Sequence, residues 1–374
     1  MKALYFSDNT SDHNRRFLEK LSQARLEVWF LDPTSDRLPE NWLPEGVEWI
    51  RPRKVVRHGC DPSEFARFLP EFQEWLKAIR PDLVHAGPTH NCGYVTALSN
   101  FRPWLLTSWG SDILYQVDQG ADWKQGTQRA LASADGFFCD CDAVRTRAKQ
   151  LAQVQDDRIV QFPWGIKRGS FAPDGSRPGS GEFAREPGTC VILSTRSWEP
   201  LYGIDVLLEA FRQASLIDSS LRLLLLGGGS EAARVQEFIK VHRLESKIRI
   251  PGHFARADMP NWFRVADVYV SCTKSDGTSV SLLEAMATGL PVVVSDLPAN
   301  REWVVEERNG WLAPADSAKE FADRLLLAAR LSSEERKLFS ERNQRIVRER
   351  ADWDRNFPRL LEMYERLVAM HVAR

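Results

Sequence analysis

Short apolar runs, four to six residues long, alternate along the whole chain with stretches whose apolar positions recur every three or four residues. Runs of the first kind, rich in β-branched and aromatic residues and bounded by turn formers, predict strands. The second pattern predicts helices that bury one face, and the alternation of the two predicts an α/β protein built on parallel sheets. In the first half strands are expected over 2–6, 26–31, 47–50, 83–86, 104–107 and 136–139, with helices over 14–23 and 64–79. From 167 to 188 the composition shifts to Pro173, Gly175, Pro178, Gly179, Gly181, Pro187 and Gly188, too many breakers to hold an element, so this segment reads as a linker. A second alternation follows, with strands expected over 190–195, 222–227, 248–250, 267–272 and 292–295 and a helix over 203–214. After Ser333 the chain is helical and charged. Apolar residues then return at helical spacing (Trp353, Phe357, Leu360, Leu361, Tyr364, Leu367), a stripe that needs a surface to cover. Two doubly wound domains, 1–166 and 189–352, are the expected organisation.

Composition narrows the partners. At 374 residues the chain exceeds one ordinary core, which agrees with two domains. Fifty basic against 51 acidic residues leave a net charge of -1, so no global field draws the protein to nucleic acid or to an anionic membrane. The six cysteines (Cys60, Cys92, Cys139, Cys141, Cys190, Cys272) lack paired zinc spacing and read as reduced thiols of a cytoplasmic protein. Residues 1–6 enter a strand with no signal-peptide core, and no apolar run approaches membrane-spanning length. Peripheral membrane contact stays open through Arg51, Arg53, Lys54 and Arg57 around two valines, although a solvated strand edge is the plainer reading.

The densest chemistry lies in residues 275–291, where Asp276 and Glu284 stand eight residues apart around Gly277, Thr278 and Ser279. The segment joins the strands expected over 267–272 and 292–295, and Gly289 and Pro291 close the helix between them. In a parallel sheet such a loop lies at the carboxyl ends of the strands, where free N–H groups and the helix dipole favour a phosphate. A second reading makes Ser281 to Glu284 a capping box, with Glu284 folded back on the helix start and Asp276 a turn residue.

This segment resembles the signature of family 4 glycosyltransferases, retaining enzymes of GT-B fold that move a sugar from a nucleotide-sugar donor. Their pattern is Glu, seven residues, Glu. The resemblance covers the second half closely and the first half loosely. It implies two Rossmann-like domains facing across a cleft, with the last helix, 353–374, crossing back to pack on the first domain. It also implies that Glu284 binds the ribose, that Asp276 contacts hydroxyls of the donor sugar, and that Gly277, Thr278 and Ser279 approach the sugar and phosphates. Asp276 is one methylene shorter than the family's Glu, which leaves the donor sugar unassigned. The substrate implied is a UDP-, GDP- or ADP-sugar, with no cofactor and no metal. The acceptor implied is a glycan, lipid-linked or small molecule.

Other positions carry the resemblance in part. Arg196, after the first strand of the second domain, matches an Arg that neutralises the departing diphosphate, whereas Tyr202 stands where the family has Lys, so one cation is missing. A surface pair of Arg196 with Glu199 is the alternative. Gly228 lies in a turn that passes close to the nucleotide in the family, and His253 and Phe254 match backbone contacts to the base. In the first domain Trp109 occupies the place of a His near the reacting carbon and cannot accept a proton. Asp112 reads equally as a group orienting the acceptor hydroxyl or as a helix cap. Asn9, Ser11 and His13, after the first strand, are the acceptor-side candidates; His85 and His90 are further ones, each more often a structural hydrogen-bonder. Asp140-Cys141-Asp142 has the spacing of a metal-binding D-x-D, but Asp142 also starts a helix and no other converging oxygen ligands are evident. A glycosyltransferase is the expected function. A nucleotide-sugar-binding relative without turnover and a GT-B nucleotide-sugar epimerase stay open.

Overall fold

The computed structural model describes residues 1–166, 169–172, 186–252 and 256–373, so His253, Phe254 and much of the breaker-rich segment lie outside the described residues. The chain divides into two units, Met1–Phe162 with Asn356–Arg374, and Pro163–Arg355.

The first unit is a sheet of seven parallel strands: β1 (Lys2–Ser7), β2 (Glu27–Leu31), β3 (Val47–Ile50), β4 (Leu83–Gly87), β5 (Trp104–Thr107), β6 (Gly136–Cys139) and β7 (Ile159–Gln161). Their spatial order is β3-β2-β1-β4-β5-β6-β7. Every residue of β4, β5 and β6 is buried, as helices on both faces of a parallel sheet require, and that is why these strands read as mostly apolar runs, interrupted in β4 by His85 and ended in β5 by Thr107. The order reverses between β1 and β4, so the loops leaving their carboxyl ends part to opposite faces and open a crevice there.

The helix expected over 64–79 is interrupted. It forms as Pro62–Phe65, a 3-10 turn Ala66–Phe68, and Leu69–Ile79, because Pro70 has no N–H to continue the ladder and instead takes a first-turn position. The apolar stripe near the C-terminus forms a short helix, Trp353–Asn356, and then Pro358–Val372. The latter packs on β4, β6 and β7 with Leu360, Met363, Tyr364 and Leu367 buried. Tyr364 Oη lies 2.5 Å from His85 Nδ1 in β4. His85 is therefore a structural partner, and burial pushes its pKa down to about 3.

The division between units falls after Phe162 rather than after residue 166. The Ile166 N–H donates to the Ala351 carbonyl (2.9 Å) and the Trp353 N–H donates to the Ile166 carbonyl (3.1 Å), which ties residues 163–166 into the second unit. Gly165 has φ +59°, and a Cβ there would sit 2.5 Å from the Ala351 carbonyl oxygen, so this approach requires glycine.

The second unit is a sheet of six parallel strands: β8 (Cys190–Ser194), β9 (Leu221–Leu225), β10 (Ile248–Arg249), β11 (Val268–Ser271), β12 (Val292–Ser295) and β13 (Gly310–Ala313), in the order β10-β9-β8-β11-β12-β13. Its switch point lies between β8 and β11. The charged helix Ser333–Arg350 opens with a capping box of Ser332 and Glu335.

Arg51, Arg53 and Arg57 of the basic run are paired with Asp36, Glu74 and Glu64. Among the described residues no helix is long and apolar enough to cross a membrane.

Candidate functional site

Two loops meet at the β8/β11 switch point. Arg196, two residues beyond β8, places Nη2 2.9 Å from Asp276 Oδ2. Its Nη1 donates to Ser279 Oγ at 3.0 Å and to Ser281 Oγ at 3.4 Å, and the guanidinium lies 4.2 Å from the centre of the Tyr202 ring. The arginine is thus held by a carboxylate, two hydroxyls and an aromatic face, a set of contacts suited to its planar fork. Ser281 Oγ lies 2.7 Å from Tyr269 Oη, which anchors the network to β11. Burial pushes the Asp276 pKa up while the Arg196 charge opposes the shift. Glu199 turns away and accepts from the Ser230 N–H at 2.8 Å and from its hydroxyl, so the alternative Arg196–Glu199 pair does not form.

Ser279 is the N-cap of the helix Val280–Ala287, its Oγ accepting from the Leu282 N–H at 3.4 Å. The capping-box alternative at Ser281 and Glu284 is therefore wrong by two positions. Leu282 is the third helical residue and Glu284 the fifth, buried, with Thr278 buried just ahead of the cap. Gly277 contributes a backbone N–H to the Asp276 carboxylate. The same loop is fastened to the segment after β8: the Leu201 carbonyl accepts from the Lys274 N–H (2.8 Å) and from Thr273 Oγ1 (3.3 Å). At Gly203, with φ +62°, a Cβ would stand 2.0 Å from the Cys272 carbonyl oxygen. In the glycine-rich turn after β9, Gly227 and Gly229 are both needed for close packing, since a Cβ would lie 2.7 Å from the Arg196 carbonyl oxygen at the first and 2.5 Å from the Trp198 carbonyl oxygen at the second. Gly228 is exposed and accepts from the Trp198 N–H at 2.8 Å.

The β1/β4 switch point of the first unit has a different chemistry. Asp8, just past β1, accepts from Asn91 Nδ2 at 2.7 Å and from Asn9 Nδ2 at 3.2 Å. Asn9 Oδ1 accepts from the Ser11 N–H at 3.0 Å and from Asn14 Nδ2 at 2.9 Å, and Ser11 caps the helix Asp12–Gln23. Asp32, just past β2, accepts from the Thr34 N–H (2.8 Å) and hydroxyl (2.7 Å). Both carboxylates are buried. Burial raises the Asp8 pKa and pushes that of Asp32 up to about 6, with the Asp8 charge adding to the latter shift. Asp8 falls in the run after the first strand that is expected to face a ligand, whereas Asp32 and Asn91 are not singled out by the sequence. The available signal was an acidic residue directly after each of two neighbouring strands.

The His13 and Trp109 rings lie 6.3 Å apart. Asp112 does not cap a helix, because Gly110 takes that position. It is completely buried and accepts from Thr89 N–H (2.9 Å), Ser108 Oγ (2.6 Å), Trp109 N–H (3.0 Å) and Ile113 N–H (3.0 Å), so it braces the loop that carries Trp109. His90 is buried 4.4 Å from the Trp123 ring, and burial pushes its pKa down to about 3. Asp142 lies in the first turn of a helix whose cap is Cys141, and Asp140 is buried. Among the described residues no group of three His, Cys, Asp or Glu side chains is placed to hold a metal ion.

Two parallel-sheet units of this topology in one chain, with a phosphate-suited arginine at the second switch point, define the GT-B class. Residues 189–330 match the family described as Glycosyl transferases group 1, and residues 2–140 match that described as Glycosyl transferase 4-like. The chain belongs to this glycosyltransferase family. By sequence it is similar to WcaL of Escherichia coli (strain K12), a candidate colanic acid biosynthesis glycosyltransferase, at 31% identity over 186 residues, 48% of this chain and 44% of that protein. The match thus spans less than half the length of that relative. By fold it is similar to sucrose-phosphate synthase from Thermosynechococcus elongatus, with TM-score 0.85 and 18% identity over 99% of this chain and 100% of that one. HepE of Anabaena, solved with UDP, gives TM-score 0.77 at 17% identity over 98% and 100% of the two chains.

Proposed function

We propose that the protein transfers a sugar from a nucleotide-sugar to an acceptor hydroxyl with retention of configuration and without a divalent metal. The observation that carries this reading is the assembly of Arg196, Asp276 and Ser279 at the β8/β11 switch point, directly ahead of the helix that holds Glu284. In the proposed complex the Glu284 carboxylate accepts from the ribose hydroxyls, and Asp276 accepts from hydroxyls of the sugar. Gly277, Thr278 and Ser279 line the sugar and phosphates. Arg196 takes the charge that develops on the leaving diphosphate, a fixed cation that needs little reorganisation as the bond breaks. That role asks no metal ion to neutralise the leaving group. Retention follows if the acceptor enters on the side from which the diphosphate departs and passes its proton to a phosphate oxygen. The acceptor is assigned to the first unit, at Asn9, Ser11, His13 and Trp109. The UDP bound by HepE, whose fold is similar, supports a nucleoside diphosphate as the donor's leaving half.

The test is to incubate the protein with UDP-, GDP- and ADP-sugars and a panel of glycan, lipid-linked and small acceptors, with and without EDTA. Product configuration is read by NMR. Transfer with retention that EDTA leaves intact is expected. Transfer with inversion, or transfer abolished by EDTA, contradicts the corresponding part, and donor binding without any transfer points to a non-catalytic relative.

A further inference from the structure

The Arg196–Asp276 pair, at 2.9 Å, sums to zero charge. A nucleoside diphosphate leaving group carries about two to three negative charges at neutral pH, because the second ionisation of a phosphate falls near pH 6. One neutral pair with the uncharged Tyr202 ring beside it is a poor match for that charge. The fold supplies another cation at this place. Lys274 lies in the same loop as Asp276, and its N–H donates to the carbonyl of Leu201, the residue next to Tyr202. The loop is fixed there a second time by Thr273 Oγ1 on the same carbonyl, and by the approach of Gly203 to the Cys272 carbonyl. The Lys274 backbone is therefore held beside Tyr202 while its side chain is exposed, and among the described residues it makes no ion pair.

We infer that Lys274 is a second phosphate-binding residue of this site, offering an ammonium to the diphosphate of a nucleoside diphosphate or its sugar ester. This rests on the nucleotide-sugar reading above. The two cations differ in kind: Arg196 is a fork immobilised by four groups, and Lys274 is a point charge on a flexible stem. The charge missing at Tyr202 is thereby returned from the neighbouring loop.

The test is calorimetric titration of wild type, Lys274→Gln and Lys274→Arg with UDP, GDP and ADP and with the corresponding monophosphates, at two salt concentrations. Lys274→Gln is expected to weaken the preferred diphosphate about tenfold and its monophosphate less than about threefold, with Lys274→Arg recovering most of the loss. The salt dependence of diphosphate binding falls in the Gln variant. Diphosphate binding by Lys274→Gln within twofold of wild type overturns the inference, as does an equal loss for mono- and diphosphate. Failure of the wild type to bind any nucleoside diphosphate overturns the nucleotide-sugar reading and the inference with it.

Discussion

The two switch points of this molecule share a topology and differ in charge. At β8/β11 the loop residues are Arg196, Asp276, Ser279 and Lys274, a mixture that leaves a cation available. At β1/β4 they are Asp8 and the neighbouring Asp32, carboxylates that repel phosphate, with the Asn91 amide donating to Asp8 and the Thr34 N–H and hydroxyl to Asp32. Parallel-sheet topology says where a ligand can sit, and the side chains say which one. On the function proposed above, the second switch point takes the diphosphate and the first a hydroxyl-bearing ligand that brings no phosphate to Asp8 and Asp32.

The largest expected effect breaks this difference at the cation. Arg196→Ala should lower kcat for transfer by about 10²- to 10³-fold, the cost of removing one preorganised group from a developing oxyanion, whereas Asp8→Asn should leave diphosphate affinity within about threefold. Steady-state kinetics and titration of the two variants check this. Next in size is Gly203→Ala, whose methyl would meet the Cys272 carbonyl. It should destabilise by more than about 1 kcal/mol in urea denaturation and weaken nucleotide binding through the displaced 272–274 loop.

Asp32 and Asp8 give a pH signature confined to the first unit. Their native pKa values are raised, that of Asp32 to about 6 from an ordinary 3.8. At these two groups the folded chain therefore holds protons that the unfolded chain has released, so their contribution to unfolding free energy falls as pH rises through that window, while the buried neutral His85 and His90 contribute in the opposite direction. Asp32→Asn removes the Asp32 part, so the stability of wild type relative to this variant should decline as pH rises, measured by denaturant titration of both across the same window. The smallest effect is expected for Arg53→Ser, which removes an exposed ion pair with Glu74: stability should stay within about 0.5 kcal/mol and anionic vesicles should bind neither form.

How much of this was legible from residues alone follows from the range of the interactions. Strands such as Leu83–Gly87 and Val292–Ser295 are buried on both faces and announce themselves as apolar runs. The loop around Asp276 and Glu284 is local, so its place before a helix could be read directly. The helix Ala121–Ser133 was not legible, because the residues it buries are small or polar ones, Gly126, Thr127 and Ala130 beside a single Leu131, and they leave no clear apolar stripe. Partners distant in the chain were not legible either. The near neighbour Glu199 is the only carboxylate the local sequence offers Arg196, but the one that meets it is Asp276, brought in by the crossover from β8 to β11. For the same reason the sequence does not show that the Lys274 backbone lies beside Tyr202, a neighbourhood made by its N–H on the Leu201 carbonyl.

The proposed function rests on binding of a nucleoside diphosphate at the second switch point. Its most direct test is a thermal-shift titration of wild type, Glu284→Ala and Asp8→Asn with UDP, GDP and ADP. One diphosphate should stabilise wild type and Asp8→Asn alike, with the shift lost in Glu284→Ala. A shift that survives in Glu284→Ala and disappears in Asp8→Asn would contradict it.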